Sequence, residues 1–405
     1  MIYYKQFVQK FEIIIPTVLI FVFIFGPKVF SILDSSIICG VVAAIIHNFK
    51  GKYHIDRNDI YLSAILMFFI IYTITISTLM GAKEIFFPLK FLKAFILFFT
   101  TIYFSEYLLK YLNLVKIHEI IILCVVFHSI IIFSCIISPE VRSTIYGFTG
   151  YLPRGPQWSR SPGMTLGFNS TAIVHVFALF TLLNQKYFST IKQSIFIFII
   201  LFSLFFLGRS IFLLGFLAII FLISIKRPVR SFLIMIISVL VLFAFLSFLD
   251  EYLIETNNKI GIIIFNLSHF IKIFDLTSAE NVLNYFSLVK DYHWSFPSDF
   301  QTLMIGNSLA GHLGILDTAN STGSDVGFVN SVNANGLLIT LFLYFWYILL
   351  GCTSSINLRL GVTLLCSLSL LLSLKETGFF DSHVTPLLFL LYHLGKRAQS
   401  KRLSR

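Results

Sequence analysis

The sequence predicts an all-α, polytopic integral membrane protein with about twelve transmembrane helices and one large external loop. Of its 405 residues, 57% are hydrophobic and only 12% are charged, and the mean hydropathy is +0.89. Apolar runs such as FEIIIPTVLIFVFIFG, IYLSAILMFFIIYTITISTLM and SFLIMIISVLVLFAFLSFL are about as long as a helix that crosses a bilayer. Because backbone groups cannot bond to water in hydrocarbon, these runs are expected to be helical.

The apolar segments set the order of the predicted spans. The whole chain, residues 1–405, is treated as a single multi-spanning membrane domain. Two longer connections, residues 139–163 and residues 250–331, fall on the same outer side when the spans alternate in direction. We place the spans at residues 8–26, 29–47, 60–80, 88–109, 116–137, 164–184, 192–207, 210–225, 231–249, 332–351, 358–374 and 383–395.

The lysines and arginines orient this topology. With the N-terminus in the cytoplasm, 18 of the 30 Lys and Arg residues fall in cytoplasmic segments, most of them short loops. This distribution follows the positive-inside rule and predicts that both termini are cytoplasmic. The formal net charge of +11 is explained in the same way. Because the cations form no stripe or repeat, we predict no nucleic-acid partner.

The external segment 250–331 combines acidic residues with short apolar stretches. It holds nine of the 19 Asp and Glu residues of the chain. Its apolar pieces, GIIIFNLSHFIKIF and VLNYFSLV, are too short to span, so we predict short amphipathic or re-entrant helices at the membrane surface. The carboxylates could bind sugar hydroxyls, and a solvated acidic surface explains them equally well.

The cysteines indicate packing rather than cross-linking or metal binding. There are five of them, an odd number, and each lies within or beside an apolar run. We predict neither a metal site nor a cofactor, because the chain also has no phosphate-binding glycine loop, zinc spacing or nucleophile elbow. The five residues are Cys39, Cys124, Cys135, Cys352 and Cys366.

Three arginines are candidates for binding an anion on the outer side. Arg154 and Arg160 lie in the stretch RGPQWSRSPGMTLG, and Arg209 lies in FFLGRSIFLLG, a short break between two predicted spans. A guanidinium group stays charged and binds phosphate oxygens in a bidentate manner. Each arginine could instead contact lipid headgroups, an explanation that is strongest for Arg154.

Two candidate catalytic groups lie near the end of the large external loop. Asp325 could be a general base, since a carboxylate within hydrogen-bonding reach can activate a hydroxyl. His312 could serve in the same role because the pKa of histidine is near neutral. The alternatives are that Ser324 or Asp325 caps the span near residue 332, and that His312 has no role in the chemistry.

Three local patterns resemble those of the O-antigen polymerase and O-antigen ligase superfamily of bacterial surface-polysaccharide assembly. RSPGMTLGFNSTA (residues 160–172) is similar to the family's arginine, glycine and asparagine pattern at the entry to a span. LGRSIFLLG (207–215) is similar to the arginine–serine pattern that opens a later span. MIGNSLAG (304–311) with GSDVGFVNSVNANGLL (323–338) is similar to the pattern that closes the large loop. The span count and the loop placement along the whole chain also fit.

The resemblance implies a metal-independent glycosyltransferase of the bacterial inner membrane that uses glycans carried on undecaprenyl pyrophosphate. As an O-antigen or capsular polysaccharide polymerase, it would transfer glycan to the non-reducing end of another lipid-linked repeat unit on the periplasmic side. The resemblance also implies that Arg160 and Arg209 bind the pyrophosphate, with Arg154 in support. Asp325 or His312 would then activate the acceptor hydroxyl.

Two other functions compete with a polymerase. An O-antigen ligase, which joins glycan to lipid A-core, typically has a histidine and an asparagine where this chain has Asp325, and this departure favours the polymerase. A lipid-linked oligosaccharide flippase or exporter should carry ionisable residues near mid-bilayer in two repeated halves, and we find no convincing repeat. The expected partners are undecaprenyl-pyrophosphate-linked oligosaccharide and the lipid bilayer, and the resemblance also allows a chain-length-regulating protein.

Overall fold

The computed structural model describes residues 2–27, 34–46, 55–81, 86–150, 161–165, 167–207, 296–308, 327–356, 358–374, 380 and 383–403. Within these ranges the regular secondary structure is helical and no strand occurs. The predicted all-α class is therefore confirmed for this part of the chain. The predicted spans at 210–225 and 231–249 lie outside the described residues.

The described part of the chain forms thirteen helices. They are α1 (Ile2–Phe25), α2 (Ser35–Ile46), α3 (Arg57–Leu79), α4 (Phe86–Tyr111), α5 (Leu114–Ile137), α6 (Pro139–Thr149), α7 (Phe168–Asn184), α8 (Thr190–Leu207), α9 (Phe300–Ile305), α10 (Gly327–Asn335), α11 (Leu337–Thr353), α12 (Arg359–Ser373) and α13 (Val384–Leu403).

Three of the described helices are long and apolar enough to cross a membrane. They are α3, the segment Phe87–Tyr111 of α4, and α5. Shorter apolar helices include α2, α7, α8, α11 and α12. Large apolar side chains such as Ile71, Ile74 and Phe127 are exposed on these helices, as expected of surfaces that face lipid. These features fit a membrane location.

Helix α6 lies inside the segment 139–163, which the sequence predicts to be a loop. It starts where the backbone N–H of Val141 donates to the Ser138 side chain over 3.3 Å. Pro139 occupies the first turn, where its missing N–H leaves no bond unmade. The helix ends at Gly150, whose φ of +70° is the left-handed conformation common at helix ends.

The predicted span 332–351 is divided into two helices. α10 ends at Asn335 and α11 begins at Leu337, with Gly336 between them at a φ of +80°. The cap of α11 is thus Gly336, and a separate helix, α10, precedes it. Ser324 and Asp325, which could cap this span, lie outside the described residues.

The chain divides into two compact units. The first unit comprises Met1–Ile121 and Asn284–Arg405, and the second comprises Ile122–Leu283. In the first unit, α4 is central and packs against α1, α2, α3 and α13. α11 packs against α3, α9, α10 and α12 in the same unit.

Aromatic side chains form the core of the first unit. Trp346 is fully buried, and its indole N–H donates to the carbonyl oxygen of Leu62 over 3.0 Å. This bond ties α11 to α3 and satisfies the buried polar edge of the indole. The ring of Phe98 on α4 packs edge-on against Phe389 on α13, with centroids 5.2 Å apart.

In the second unit, α7 is buried on all sides. Every residue from 169 to 182 is buried, and the helix packs against α8. A helix that is buried all round belongs to the interior of a structure rather than to its surface. α7 therefore gives a fixed support to the turn that precedes it.

The cysteines are free thiols. Cys39, Cys124, Cys135 and Cys366 are buried, whereas Cys352 is exposed. The four buried residues fit the interpretation that these side chains serve packing.

Candidate functional site

The five predicted site residues lie outside the described part of the chain. These are Arg154, Arg160, Arg209, His312 and Asp325. The structure does describe residues that flank three of them in sequence. Residues 161–165 follow Arg160, α8 ends two residues before Arg209, and α10 begins two residues after Asp325.

The residues that flank two of the predicted arginines are hydrogen-bonded to each other. The backbone N–H of Ser161 donates to the carbonyl oxygen of Phe206 over 3.3 Å. Phe206 is the penultimate described residue of α8. The turn after Arg160 is therefore bonded directly to α8, the helix that precedes Arg209 in sequence.

Residues 161–165 form a buried turn held by a histidine. The backbone N–H of Met164 donates to Nε2 of His128 on α5 over 3.2 Å. Because Nε2 accepts this bond, it carries no proton of its own. Gly163 has a φ of +63°, and a Cβ there would come within 2.7 Å of the same Nε2. The turn thus requires glycine for both its conformation and its space.

A chain of hydroxyl groups surrounds this turn. The Tyr146 hydroxyl on α6 donates to Oγ of Ser161 over 3.3 Å, and burial raises the pKa of this tyrosine, so it stays protonated. Thr165 shares a short hydrogen bond with Thr171. Nδ1 of His175 lies 2.9 Å from the Thr171 carbonyl oxygen and must donate, since a carbonyl can only accept.

The two histidines beneath the turn were not predicted as site residues. His128 and His175 are fully buried, and their ring centroids are 5.4 Å apart. An ionisable residue inside a predicted span is by default a functional candidate. That signal, in VVFHSIII and AIVHVFAL, could have identified both residues from the sequence.

In the pattern that closes the large loop, glycines allow residues 306–308 to pack against residues 333–336. The backbone N–H groups of Asn307 and Ser308 donate to the carbonyl oxygens of Asn333 and Ala334, over 2.8 and 2.9 Å. A Cβ on Gly306 would lie 2.5 Å from the Ala334 carbonyl oxygen. The segment after α9 is thus seated directly on the end of α10.

The end of α9 is also hydrogen-bonded to α3, which corresponds to the predicted span 60–80. The Tyr72 hydroxyl on α3 donates to the Ile305 carbonyl oxygen over 2.7 Å. Asn330, Asn333 and Asn335 on α10 are buried, with 2 to 4% of their surface exposed. Buried amides normally serve hydrogen bonding, so these side chains are expected to hold α10 in place within the first unit.

A second polar group of residues, the charged cluster, lies in the first unit. It consists of Asp56, Asp59, Glu106, Lys396 and Arg397. Nζ of Lys396 is 3.0 Å from a carboxylate oxygen of both aspartates, and Arg397 pairs with Glu106 over 3.2 Å. The hydrogen bond from Lys396 lowers the pKa of the Asp56 carboxyl. Three segments predicted on one membrane side therefore meet here.

The described residues offer hydrogen-bonding scaffolds rather than a metal centre. Among them, no group of three or more His, Cys, Asp or Glu side chains is arranged to hold a metal ion. The buried turn at 161–165 instead fixes backbone that directly follows Arg160 in sequence. Such fixed backbone can position charged groups against an anionic substrate.

No match is found when the chain is compared with protein-family models, with curated proteins or with solved structures.

Proposed function

We propose that this protein is a membrane glycosyltransferase, an O-antigen or capsular polysaccharide polymerase. It would transfer glycan from undecaprenyl pyrophosphate to the non-reducing end of another lipid-linked repeat unit. The observation that carries this proposal is the hydrogen bond between Ser161 and Phe206. It joins Ser161, which directly follows Arg160 in sequence, to Phe206, which precedes Arg209 by three residues, and so supports one anion site shared by the two arginines.

The proposed chemistry needs cations and one base. When the glycosidic bond breaks, negative charge grows on the departing lipid pyrophosphate, and Arg160 and Arg209 would stabilise it, with Arg154 in support. Asp325 or His312 would take the proton of the acceptor hydroxyl as the new bond forms. No metal is needed, because the arginines supply the positive charge.

The proposal includes a topology of twelve spans in the inner membrane with both termini in the cytoplasm. The charged cluster supports the relative placement of the helix ends. Asp56 precedes α3, Glu106 lies near the end of α4, and Lys396 and Arg397 lie near the end of α13. The Lys and Arg distribution predicts all three ends on the cytoplasmic side.

A deletion and complementation experiment tests the proposed function. The gene is deleted in a strain that makes a long polysaccharide, and the ladder of chain lengths is compared after complementation with the wild type, Arg160→Ala or Arg209→Ala. Lys83→Ala is the control, since this substitution removes one cation from another predicted outer loop. We expect single-repeat product in the deletion strain and with both arginine variants, and a full ladder with the control.

The same strains separate the competing functions. A full ladder from Arg160→Ala or Arg209→Ala would exclude that arginine from the site. Lipid-linked long chains that accumulate without reaching the lipopolysaccharide core would identify a ligase instead. Purified protein that elongates lipid-linked repeats in detergent, where no bilayer separates two compartments, would exclude a transporter.

A further inference from the structure

A polar cavity opens beside the charged cluster in the first unit. It has a volume of about 610 Å³, which suits a small charged group. Its walls come from the start of α3, the turn between α11 and α12, and the end of α13. Arg359, Arg397 and Ser355 are among the residues that line it.

Two buried polar groups on the cavity wall lack partners within the described residues. Arg397 is 8% exposed, and while one end of its guanidinium pairs with Glu106, Nη2 has no hydrogen-bond partner there. Ser355 is 5% exposed, and its Oγ also has no hydrogen-bond partner among the described residues. Leaving such groups unsatisfied is costly. Because a guanidinium only donates, the missing partner of Arg397 must be an acceptor.

Arg359 adds a second cation to this wall. It is exposed, and its Nε and Nη2 lie 3.4 Å from the Ser354 carbonyl oxygen, a long contact. Within the described ranges, no carboxylate forms an ion pair with it. Lys396, by contrast, is already held between two aspartates. Arg359 and Arg397 are therefore the cations available to a ligand.

An apolar groove continues from the polar cavity. It has a volume of about 620 Å³, lies between α3 and α11, and shares Asn58 and Thr353 with the cavity. Leu62, Phe68 and Phe342 are among its lining residues. Along α3, the ten-residue rise from residue 58 to residue 68 corresponds to about 15 Å. That is half of the hydrocarbon thickness of about 30 Å, or one leaflet.

We propose that the cavity and the groove together bind one anionic glycerophospholipid. Its headgroup phosphate would be held by Arg359 and Arg397, with the Ser355 hydroxyl in support, and one acyl chain would lie in the groove between α3 and α11. Asp56 and Asp59 also line the cavity, but both pair with Lys396, which leaves the two arginines for a ligand. Such a cavity, joined to an apolar groove one leaflet long, is complementary to a molecule with a phosphate at one end and hydrocarbon at the other. This site does not depend on the proposed glycosyl transfer.

The sequence around the site adds to the charge argument. Lys50, Lys52 and Arg57 precede or open α3, and Lys401, Arg402 and Arg405 follow Arg397 closely. Clusters of cations at the cytoplasmic ends of spans attract anionic lipid. The predicted topology places this end of the first unit at that leaflet.

Lipid titration of the full-length protein tests the headgroup contact. Delipidated protein in detergent is titrated with phosphatidylglycerol, and bound lipid is counted by native mass spectrometry. We expect one tightly bound phosphatidylglycerol and weaker binding of phosphatidylcholine. Arg359→Gln should weaken phosphatidylglycerol binding roughly fivefold, the effect of about one cation near anionic lipid. Lys110→Gln, which removes an exposed cation from the end of α4, should leave binding unchanged.

Two tryptophan variants test the groove. Ala64→Trp fills the groove, whereas Ile60→Trp adds the same side chain to an exposed position of α3 that does not line it. We expect Ala64→Trp to weaken phosphatidylglycerol binding several-fold and Ile60→Trp to leave it intact. Circular dichroism of each variant checks that the helices are retained.

The outcomes distinguish the sources of the phosphate group. Equal binding of phosphatidylcholine, or no effect of Arg359→Gln, would overturn the headgroup assignment. Calorimetric binding of inorganic phosphate that matches phosphatidylglycerol, with no effect of Ala64→Trp, would identify a site for free phosphate. Tighter binding of a polyprenyl phosphate than of phosphatidylglycerol would assign the site to a carrier lipid and overturn the glycerophospholipid.

Discussion

The backbone N–H of Ser161 donates to the carbonyl oxygen of Phe206 over 3.3 Å and so joins the turn before α7 to the last turn of α8. The two bonded residues belong to the second unit and are far apart in sequence. Ser161 directly follows Arg160, and Phe206 precedes Arg209 by three residues, and these are the two arginines that we propose to bind pyrophosphate.

Removing this donor should weaken the second unit. Ser161→Pro deletes the N–H, and we expect the free energy of unfolding to fall by about 1 kcal/mol more than in Ser161→Ala, which keeps it. The alanine variant is the needed control, because the Ser161 side chain also accepts hydrogen bonds from Tyr146 and Gly163. Thermal unfolding in detergent measures the difference, and equal midpoints for the two variants would contradict the prediction.

Gly163 should tolerate no side chain. Gly163→Ala places a Cβ 2.7 Å from His128 Nε2 at a φ of +63°, so both the left-handed backbone and the clash are unfavourable. We expect a loss of about 2 kcal/mol or more in the free energy of unfolding.

Gly150→Ala is the matched control for this substitution. Its φ is +70°, but a Cβ there meets no atom within 4 Å. It should therefore cost only the backbone term of about 1 kcal/mol. If the two variants unfold at the same temperature, the contact between the turn and His128 is not tight.

Much of the fold could be predicted from the sequence because apolar length and backbone chemistry decide it. The predicted span 60–80 corresponds to α3, 88–109 to α4, and 116–137 to α5, with bounds that differ by only a few residues. The break at Gly336 does not follow from hydropathy, because the asparagines that precede it are buried in the fold although they are polar. It depends on a backbone contact with a segment about thirty residues earlier.

The site was less predictable than the fold. The arginine motifs direct attention to loop cations, but the turn at 161–165 is held by His128 on α5 and by hydroxyl groups on α6 and α7. Sequence spacing does not show that α5 and the turn meet, because His128 and Met164 are separated by 36 positions. The cavity beside Arg359 and Arg397 depends in the same way on contacts between distant segments.

Asp59 and Asp56 should differ sharply in their contributions to stability. Each has a carboxylate oxygen 3.0 Å from Nζ of Lys396, but the side chain of Asp59 is 2% exposed and that of Asp56 is 54% exposed. Asp59→Asn removes the buried partner of Lys396 and leaves only the exposed one, Asp56, so it should cost about 3 kcal/mol. Asp56→Asn should cost less than about 1 kcal/mol, as exposed pairs do. Similar unfolding midpoints for the two variants would contradict this ranking.

Acid should reveal the smaller contribution of Asp56. The Lys396 hydrogen bond lowers the folded-state pKa of this carboxyl. The ion pair therefore stabilises the fold fully when the pH is above the ordinary aspartate pKa of about 3.9. The effect is lost as the pH falls through the lowered pKa. Below pH 4, the gap in unfolding temperature between the wild type and Asp56→Asn should narrow. A gap that stays constant across this range would show that the ion pair does not stabilise the fold.

Gly336 should be among the positions least tolerant of substitution in the first unit. A Cβ there would overlap the Met304 carbonyl oxygen, and the φ of +80° is itself unfavourable for alanine. The overlapping atom belongs to backbone, which cannot rotate away, so Gly336→Ala should displace the segment after α9 from the end of α10. We expect a loss of at least about 2 kcal/mol in stability and loss of the polymer ladder in cells. Gly81→Ala is the control, because its φ is +60° and a Cβ there meets no atom within 4 Å. If Gly336→Ala unfolds at the control's temperature and supports a full ladder, the close approach of these two segments is not required.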